Sequence, residues 1–91
     1  MTHIQSNKAQ LVLRVRRIAG QIGAVEKAIT EDAGCEAILH QVAGVRGAVL
    51  GLMDELVEDH LRSHVAHPGL SDEQRAAGAD ELMASIRRYR K

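Results

Sequence analysis

Aromatic side chains are almost absent from this sequence of 91 residues, in which Tyr89 is the one aromatic residue. The core must therefore consist of aliphatic side chains and methionine, and apolar residues make up 45% of the chain. Such side chains fill the seams between helices, and a chain this short buries only a limited core by itself. The composition predicts one small domain, spanning residues 1–91, whose burial is completed by association with other copies.

Cysteine and long apolar runs are also scarce. Cys35 is the sole cysteine, so no disulfide can form within the chain, which favours a reducing compartment. No apolar run approaches the roughly 18 residues that a membrane span requires, and no signal-peptide core opens the chain. We therefore expect a cytoplasmic protein that does not enter membranes.

Net charge is zero, because 12 basic residues balance 12 acidic ones, but the two signs are unevenly distributed. Residues 1–29 contain five basic side chains and one acidic side chain, and residues 87–91 contain four basic side chains. Acidic residues concentrate between Asp54 and Glu73. The net charge of zero thus conceals basic ends, so the composition does not exclude binding to nucleic acid.

Hydrophobic periodicity predicts three α-helices, over about 6–30, 35–66 and 72–90, and therefore an all-α fold. Pro68 marks the end of the second helix, and Ser71 with Gln74 forms a predicted capping box at the start of the third. Apolar residues recur at steps of four and three along the first two helices. The first stripe consists of Leu11, Val15, Ile18, Ile22, Val25 and Ile29, and the second of Ile38, Val42, Val45, Val49, Leu52 and Leu56.

Three glycines share the opposite face of the second helix. Gly44, Gly47 and Gly51 would each weaken a helix by about 1 kcal/mol relative to alanine. Close approach by another backbone would account for all three. We therefore expect both faces of this helix to be packed.

One cysteine and two histidines form the constellation that points to chemistry. On a helical wheel, Cys35, His60 and His64 fall at about 0°, 340° and 20°, so they share one face. Cys35 and His60 are nevertheless about 37 Å apart along a straight helix. An antiparallel copy that crosses near Ala48 and Val49 would place Cys35 of one chain beside both histidines of the other, giving two equivalent sites.

A thiolate with imidazoles suits late first-row divalent metals such as Zn(II), Ni(II) and Co(II). If Met1 is removed, Thr2 supplies the N-terminal amine, and His3 can join it as a further ligand. Each of these residues also has an ordinary structural reading. A histidine pair four residues apart is usually a solvated face, and a free cysteine is usually a small buried apolar group. His40 and His67 are interpreted as surface or loop residues.

A basic stripe on the first helix is a candidate surface for nucleic acid. Arg14 and Arg17 lie about 90° from the apolar stripe, with Lys8 and Arg16 nearby. An ordinary solvated face would look the same. One such stripe binds phosphates weakly, whereas several on one oligomer bind with strong salt dependence. No helix-turn-helix signature is present to read the major groove.

Several runs of the sequence resemble the CsoR/RcnR repressor family. The resemblance extends over nearly the whole chain, and the matching segments are 13–22, 35–39, 45–49, 51–53 and the region around Asp59 and His60. It implies a three-helix protomer, an antiparallel dimer that forms a four-helix bundle, and a disc-shaped dimer of dimers on operator DNA. It also implies repression by the empty protein and release from DNA when an inducer binds.

Individual residues indicate which branch of that family the chain resembles. Copper sensors have a second cysteine where this chain has His64, which disfavours copper. His3, Cys35, His60 and His64 together resemble the nickel- and cobalt-sensing branch, with Zn(II) as an alternative inducer. Leu50 and His40 depart from residues that are common in the family, and neither departure removes a candidate ligand.

The sequence thus favours a Ni(II)- or Co(II)-responsive repressor and leaves two alternatives open. One is a formaldehyde-responsive repressor of the FrmR type that uses Cys35 and the N-terminal amine, although such sensors usually have proline at the position of Thr2 and often glutamate at that of His64. The other is a small metal-storage protein that does not bind DNA. An enzyme is not expected, because no arrangement of base, nucleophile and oxyanion donors is visible.

Overall fold

A computed structural model describes residues 7–90 of the chain. That range folds into three helices and contains no strand: α1 is Lys8–Thr30, α2 is Cys35–His64 and α3 is Asp72–Tyr89. The predicted all-α, three-helix protomer is confirmed, and each helix bound falls within two residues of its predicted position. In the described range no helix combines the length and the apolar character needed to span a membrane.

The described residues form two compact units, 7–53 and 54–90. The first unit contains α1 and the N-terminal part of α2, as far as Met53. A tight turn joins its two helices. In this turn the Asp32 amide donates to the Ile29 carbonyl at 3.1 Å, and the Ala33 amide donates to the Ala28 carbonyl at 2.9 Å. This is a Schellman motif, with Asp32 in the left-handed position (φ 58°) where glycine is usual.

The second unit contains the C-terminal part of α2 and the whole of α3. The predicted capping box is present, since the Gln74 amide donates to Ser71 Oγ at 3.1 Å and the Ser71 amide donates to Gln74 Oε1 at 2.9 Å. Arg75 then reaches back to the end of α2 and donates to the carbonyl oxygens of Val65 and His67, at 2.8 and 3.2 Å. These hydrogen bonds join the first turn of α3 to the turn that follows α2.

The chain covers three of the six residues of the apolar stripe on α1 and four of the six on α2. Leu11 is the one buried large apolar side chain of the described range, and the residues seven and fourteen positions later on α1, Ile18 and Val25, are half-buried. The other three residues of the α1 stripe and two residues of the α2 stripe are between 40% and 58% exposed. These exposed residues are Val15, Ile22, Ile29, Val42 and Val49.

Within residues 7–90 the glycine face of α2 is not covered by another backbone. A Cβ added to Gly44 or Gly47 would meet no described atom within 4 Å, so no other backbone approaches these residues within residues 7–90. At Gly51 the neighbour is a side chain, since an added Cβ would lie 2.7 Å from Arg14 Nη1. The guanidinium of Arg14 on α1 therefore lies over the bare backbone of α2 at Gly51. The approach of another backbone where two copies cross stays a prediction.

Candidate functional site

Two histidines near the end of α2 form the centre of the candidate site. His60 and His64 are one turn apart, both half-buried, with ring centroids 4.8 Å apart and ring planes inclined by 42°. Side chains four residues apart lie on one face of a helix, so both imidazoles can face one ion. The two rings thus lie side by side on one face of α2, and their role as metal ligands stays a prediction.

His60 is held by a contact with α3. Its Nε2 lies 3.1 Å from the carbonyl oxygen of Gly78. A carbonyl oxygen only accepts, so this hydrogen bond requires the proton on Nε2, and the lone pair of the neutral ring is then on Nδ1. Metal-bound histidines commonly make such a bond from the nitrogen that does not bind the metal, which fixes the tautomer and the ring orientation. The bond therefore suits His60 to a role as a ligand through Nδ1.

Gly78 allows α3 to approach this end of α2 closely. Gly78 is buried, and a Cβ added to it would overlap the carbonyl oxygen of His64 and lie 2.8 Å from the carbonyl carbon of the same residue. Backbone atoms within a helix cannot yield as a flexible side chain can. The absence of a side chain at Gly78 thus determines how closely α3 lies against both histidines.

Cys35 is the first residue of α2 and is exposed, whereas His64 is the last residue of the same helix. Among residues 7–90 of one chain, no three side chains of His, Cys, Asp or Glu gather in a way that could hold a metal ion. The candidate ligands Thr2 and His3 lie outside the described residues. A complete site therefore needs ligands from that segment, from a second copy, or from both.

The two other histidines have no place in this cluster. His40 is exposed on α2. His67 lies in the turn after α2, where its Nδ1 accepts a hydrogen bond from the amide of Gly69 at 3.0 Å. His67 thus stabilises the turn between α2 and α3.

The four candidate DNA-binding residues all lie on α1 but differ in exposure. Lys8, Arg16 and Arg17 are exposed, whereas Arg14 is half-buried beside Gly51. Arg14 is therefore held against α2, and its side chain is more restricted than that of an arginine on a solvated face.

A family model described as metal-sensitive transcriptional repressor matches residues 7–88. The chain belongs to the CsoR/RcnR family of metal-sensitive transcriptional repressors. Members of this family are DNA-binding regulators and not enzymes. Membership disfavours the alternative of a metal store that does not bind DNA.

Three relatives are similar over most of their length. An uncharacterised protein encoded in the bioA 5′ region of Serratia marcescens is 42% identical over the whole of both chains. A transcriptional repressor RcnR homologue of Escherichia coli is 42% identical over 76% of this chain and 77% of its own. A solved structure of the formaldehyde-responsive regulator FrmR from Salmonella enterica serovar Typhimurium, a variant with histidine in place of a glutamate, is 43% identical. It has a TM-score of 0.84 and covers 92% of this chain and 94% of that chain.

Three features of the site were not anticipated from the sequence: Gly78 against His60 and His64, Arg75 on the end of α2, and Arg14 over Gly51. For Gly78 the sequence does contain a signal. This glycine lies inside the short third helix, four residues before Leu82, so it is beside the apolar stripe of that helix, where a glycine indicates a close contact with another helix. For Arg14 and Arg75 the sequence offers no signal, because an exposed arginine and a packed arginine have the same sequence context.

Proposed function

We propose that this protein is a cytoplasmic repressor that binds operator DNA when empty and releases it when Ni(II) or Co(II) binds between subunits. In this proposal Cys35 of one protomer joins His60 and His64 of its partner, and His3 and the N-terminal amine of Thr2 complete the site. One observation carries the proposal: a half-buried imidazole pair lies at one end of α2 and the only thiol at the other. Two antiparallel copies of α2 would bring both kinds of ligand together.

The exposed residues of the two apolar stripes support the partner that this site requires. Val15, Ile22 and Ile29 on α1, and Val42 and Val49 on α2, repeat at intervals of seven within one compact unit. Burial of a large aliphatic side chain contributes about 1.5–3 kcal/mol. Two copies of this helix pair would bury these residues in a four-helix bundle, and two such dimers would form the tetramer.

Contacts with DNA are assigned to Lys8, Arg14, Arg16 and Arg17 on α1. One protomer offers few phosphate contacts, whereas a tetramer repeats them over a larger surface and binds with correspondingly strong salt dependence. Metal binding weakens this interaction only if it favours a different conformation of the protein. The bond from His60 Nε2 to Gly78 provides a physical link, since a metal on Nδ1 would order the ring that contacts α3.

The experiment is a titration of the purified, metal-free protein with Ni(II), Co(II) and Zn(II) while its binding to a labelled duplex from its own promoter is followed by fluorescence anisotropy. Allosteric couplings of about 1–3 kcal/mol are typical, so we expect saturating Ni(II) or Co(II) to weaken DNA binding about 5- to 150-fold. Unchanged DNA affinity with the metal site saturated would reject the mechanism.

Substitution of Gly51 should disturb DNA binding through Arg14. A Cβ at Gly51 displaces the flexible end of the Arg14 side chain, while alanine favours the helix by about 1 kcal/mol. We therefore expect Gly51→Ala to leave thermal stability unchanged or raised and to weaken DNA binding. Binding measured for Gly51→Ala, Arg14→Gln and the double variant should be strongly non-additive. If Gly51→Ala weakens DNA binding equally in the wild type and in the Arg14→Gln protein, Gly51 affects DNA binding by a route that does not involve Arg14.

A second candidate function is supported by the likeness to the formaldehyde-responsive regulator FrmR. Formaldehyde would join the Cys35 sulfur to the N-terminal amine through one methylene group, with loss of one water molecule. The intact mass of the protein would then rise by that of one carbon atom, and Cys35→Ala would abolish the gain. Release from DNA by formaldehyde, with no response to Ni(II) or Co(II), would favour this function over the metal sensor.

A further inference from the structure

The C-terminal end of α3 carries charge that the proposed site does not use. Arg87, Arg88 and Arg90 are exposed there, and Tyr89, the sole aromatic side chain, is 60% exposed between two of them. None of these arginines forms an ion pair with another residue of the range 7–90. Their one side-chain hydrogen bond there is a long local contact of 3.4 Å, from Arg87 Nε to the carbonyl of Met83. We call residues 87–90 the α3 basic end.

Stabilisation of the helix accounts for only part of this charge. Basic residues in the last turn interact favourably with the helix dipole, by about 0.3–1 kcal/mol, and Arg87 and Arg88 occupy that turn. Arg90 lies after the helix with an extended backbone (φ −89°, ψ 110°), where the dipole falls off. The exposed ring of Tyr89 adds nothing to the helix either. The pattern is that of a surface kept available for an anionic partner.

Operator DNA is the partner that this surface fits best. Guanidinium groups match phosphate oxygens with paired hydrogen bonds, and tyrosine hydroxyls are common donors to the DNA backbone. An acidic surface of another copy is the alternative partner: Glu58 and Asp59 on α2 are already paired with Arg62, at 3.5 and 3.6 Å, but other acidic residues are exposed, so the test must separate this partner from DNA. Every copy in an oligomer would carry one such end, so the contacts would multiply with assembly.

We propose that the α3 basic end is a second phosphate-binding surface for DNA, additional to the residues of α1. The proposal rests on the proposed repressor function to the extent that the protein must bind DNA. The α3 basic end belongs to the unit 54–90, whereas the α1 residues belong to the unit 7–53. Its contacts are to the DNA backbone, so they strengthen binding to any duplex and do not determine the operator sequence.

The test compares the full-length protein with its Arg88→Gln/Arg90→Gln variant on a duplex of random sequence over a range of NaCl concentrations. Each phosphate that the protein neutralises contributes about −0.9 to the slope of log K against log salt concentration. We expect the slope of the variant to be shallower by about 0.9 for each phosphate that the variant no longer neutralises. Lys27→Gln is the matched control, because Lys27 is also exposed and basic but its ammonium group lies 3.9 Å from the Glu31 carboxylate. The salt dependence of the Lys27→Gln protein should have the same slope as that of the wild type.

Three other outcomes are informative. An unchanged slope in the double variant overturns the proposal. A change in oligomeric state, measured by light scattering, also overturns it, since the α3 basic end would then bind another copy of the chain. If the wild type binds no duplex at any salt concentration, the repressor function itself fails, and that result is distinct from the first two.

Discussion

A Cys35→Ala protein is expected to bind DNA as the wild type does and to lose its release by metal. The imidazoles of His60, His64 and His3 and the N-terminal amine would remain at each site, without the thiolate that the partner contributes. Removal of a group that only hydrogen bonds to a ligand commonly lowers metal affinity or activity about 10- to 100-fold. Removal of a ligand itself should exceed the upper end of that range. Calorimetric titration with Ni(II) measures the affinity, and anisotropy with promoter DNA measures the response.

The matched control for this variant is His40→Ala. His40 is an exposed potential ligand on the same helix, five residues after Cys35, and the proposed site does not include it. Its metal affinity and its DNA release should equal those of the wild type. With Co(II), the Cys35→Ala protein should also lack the near-ultraviolet absorption that a thiolate bound to cobalt gives. If Cys35→Ala binds Ni(II) normally and still releases DNA, the thiol is not a ligand.

Gly78→Ala is expected to have the largest effect on stability. The new Cβ overlaps backbone atoms of His64, so α3 must move away from α2, which disrupts the packing of the two helices at this end. Overpacking costs about 1–3 kcal/mol, and the helix propensity of alanine returns at most about 1 kcal/mol. In a domain of this size each kcal/mol changes the melting temperature by about 4–8 °C. We expect Gly78→Ala to melt several degrees lower at equal protein concentration.

Gly20→Ala on α1 is the control for this effect. An added Cβ there meets no described atom within 4 Å, and Gly20 is exposed, so this variant should melt at or slightly above the wild-type temperature. Gly78→Ala should also weaken metal binding, because the hydrogen bond from His60 Nε2 depends on where the Gly78 carbonyl lies. Equal melting temperatures for the two variants would contradict the close approach of α3 to His64.

The helices could be predicted from the sequence because their signals are local. The period of the apolar residues and the Ser71–Gln74 capping box involve residues within one or two turns of each other, and the structure confirms both. The predicted end of α2 lies two residues too late. The amides of Val65 and Ala66 both bond to the carbonyl of Leu61, and Arg75 binds the carbonyl of Val65 from α3, which is a contact between distant residues.

The candidate site could be predicted only in part. The positions of His60 and His64 on one helix face follow from their spacing, whereas the role of Gly78 depends on how α3 packs against them. The apolar stripes showed which residues avoid water but not that a single chain covers only some of them, such as Ile18 but not Ile22. The exposed positions are the part of the pattern that now favours a second copy.

The most direct test of the shared site mixes two inactive variants. Cys35→Ala lacks the thiol, and His60→Gln/His64→Gln lacks both imidazoles, so neither forms a complete site alone. If each site combines Cys35 of one protomer with the histidines of its partner, a dimer of the two variants contains one intact site. Co-refolded protein should then bind Ni(II) tightly at one site per mixed dimer. Mixed dimers verified by mass that bind no Ni(II) would contradict a site shared between subunits.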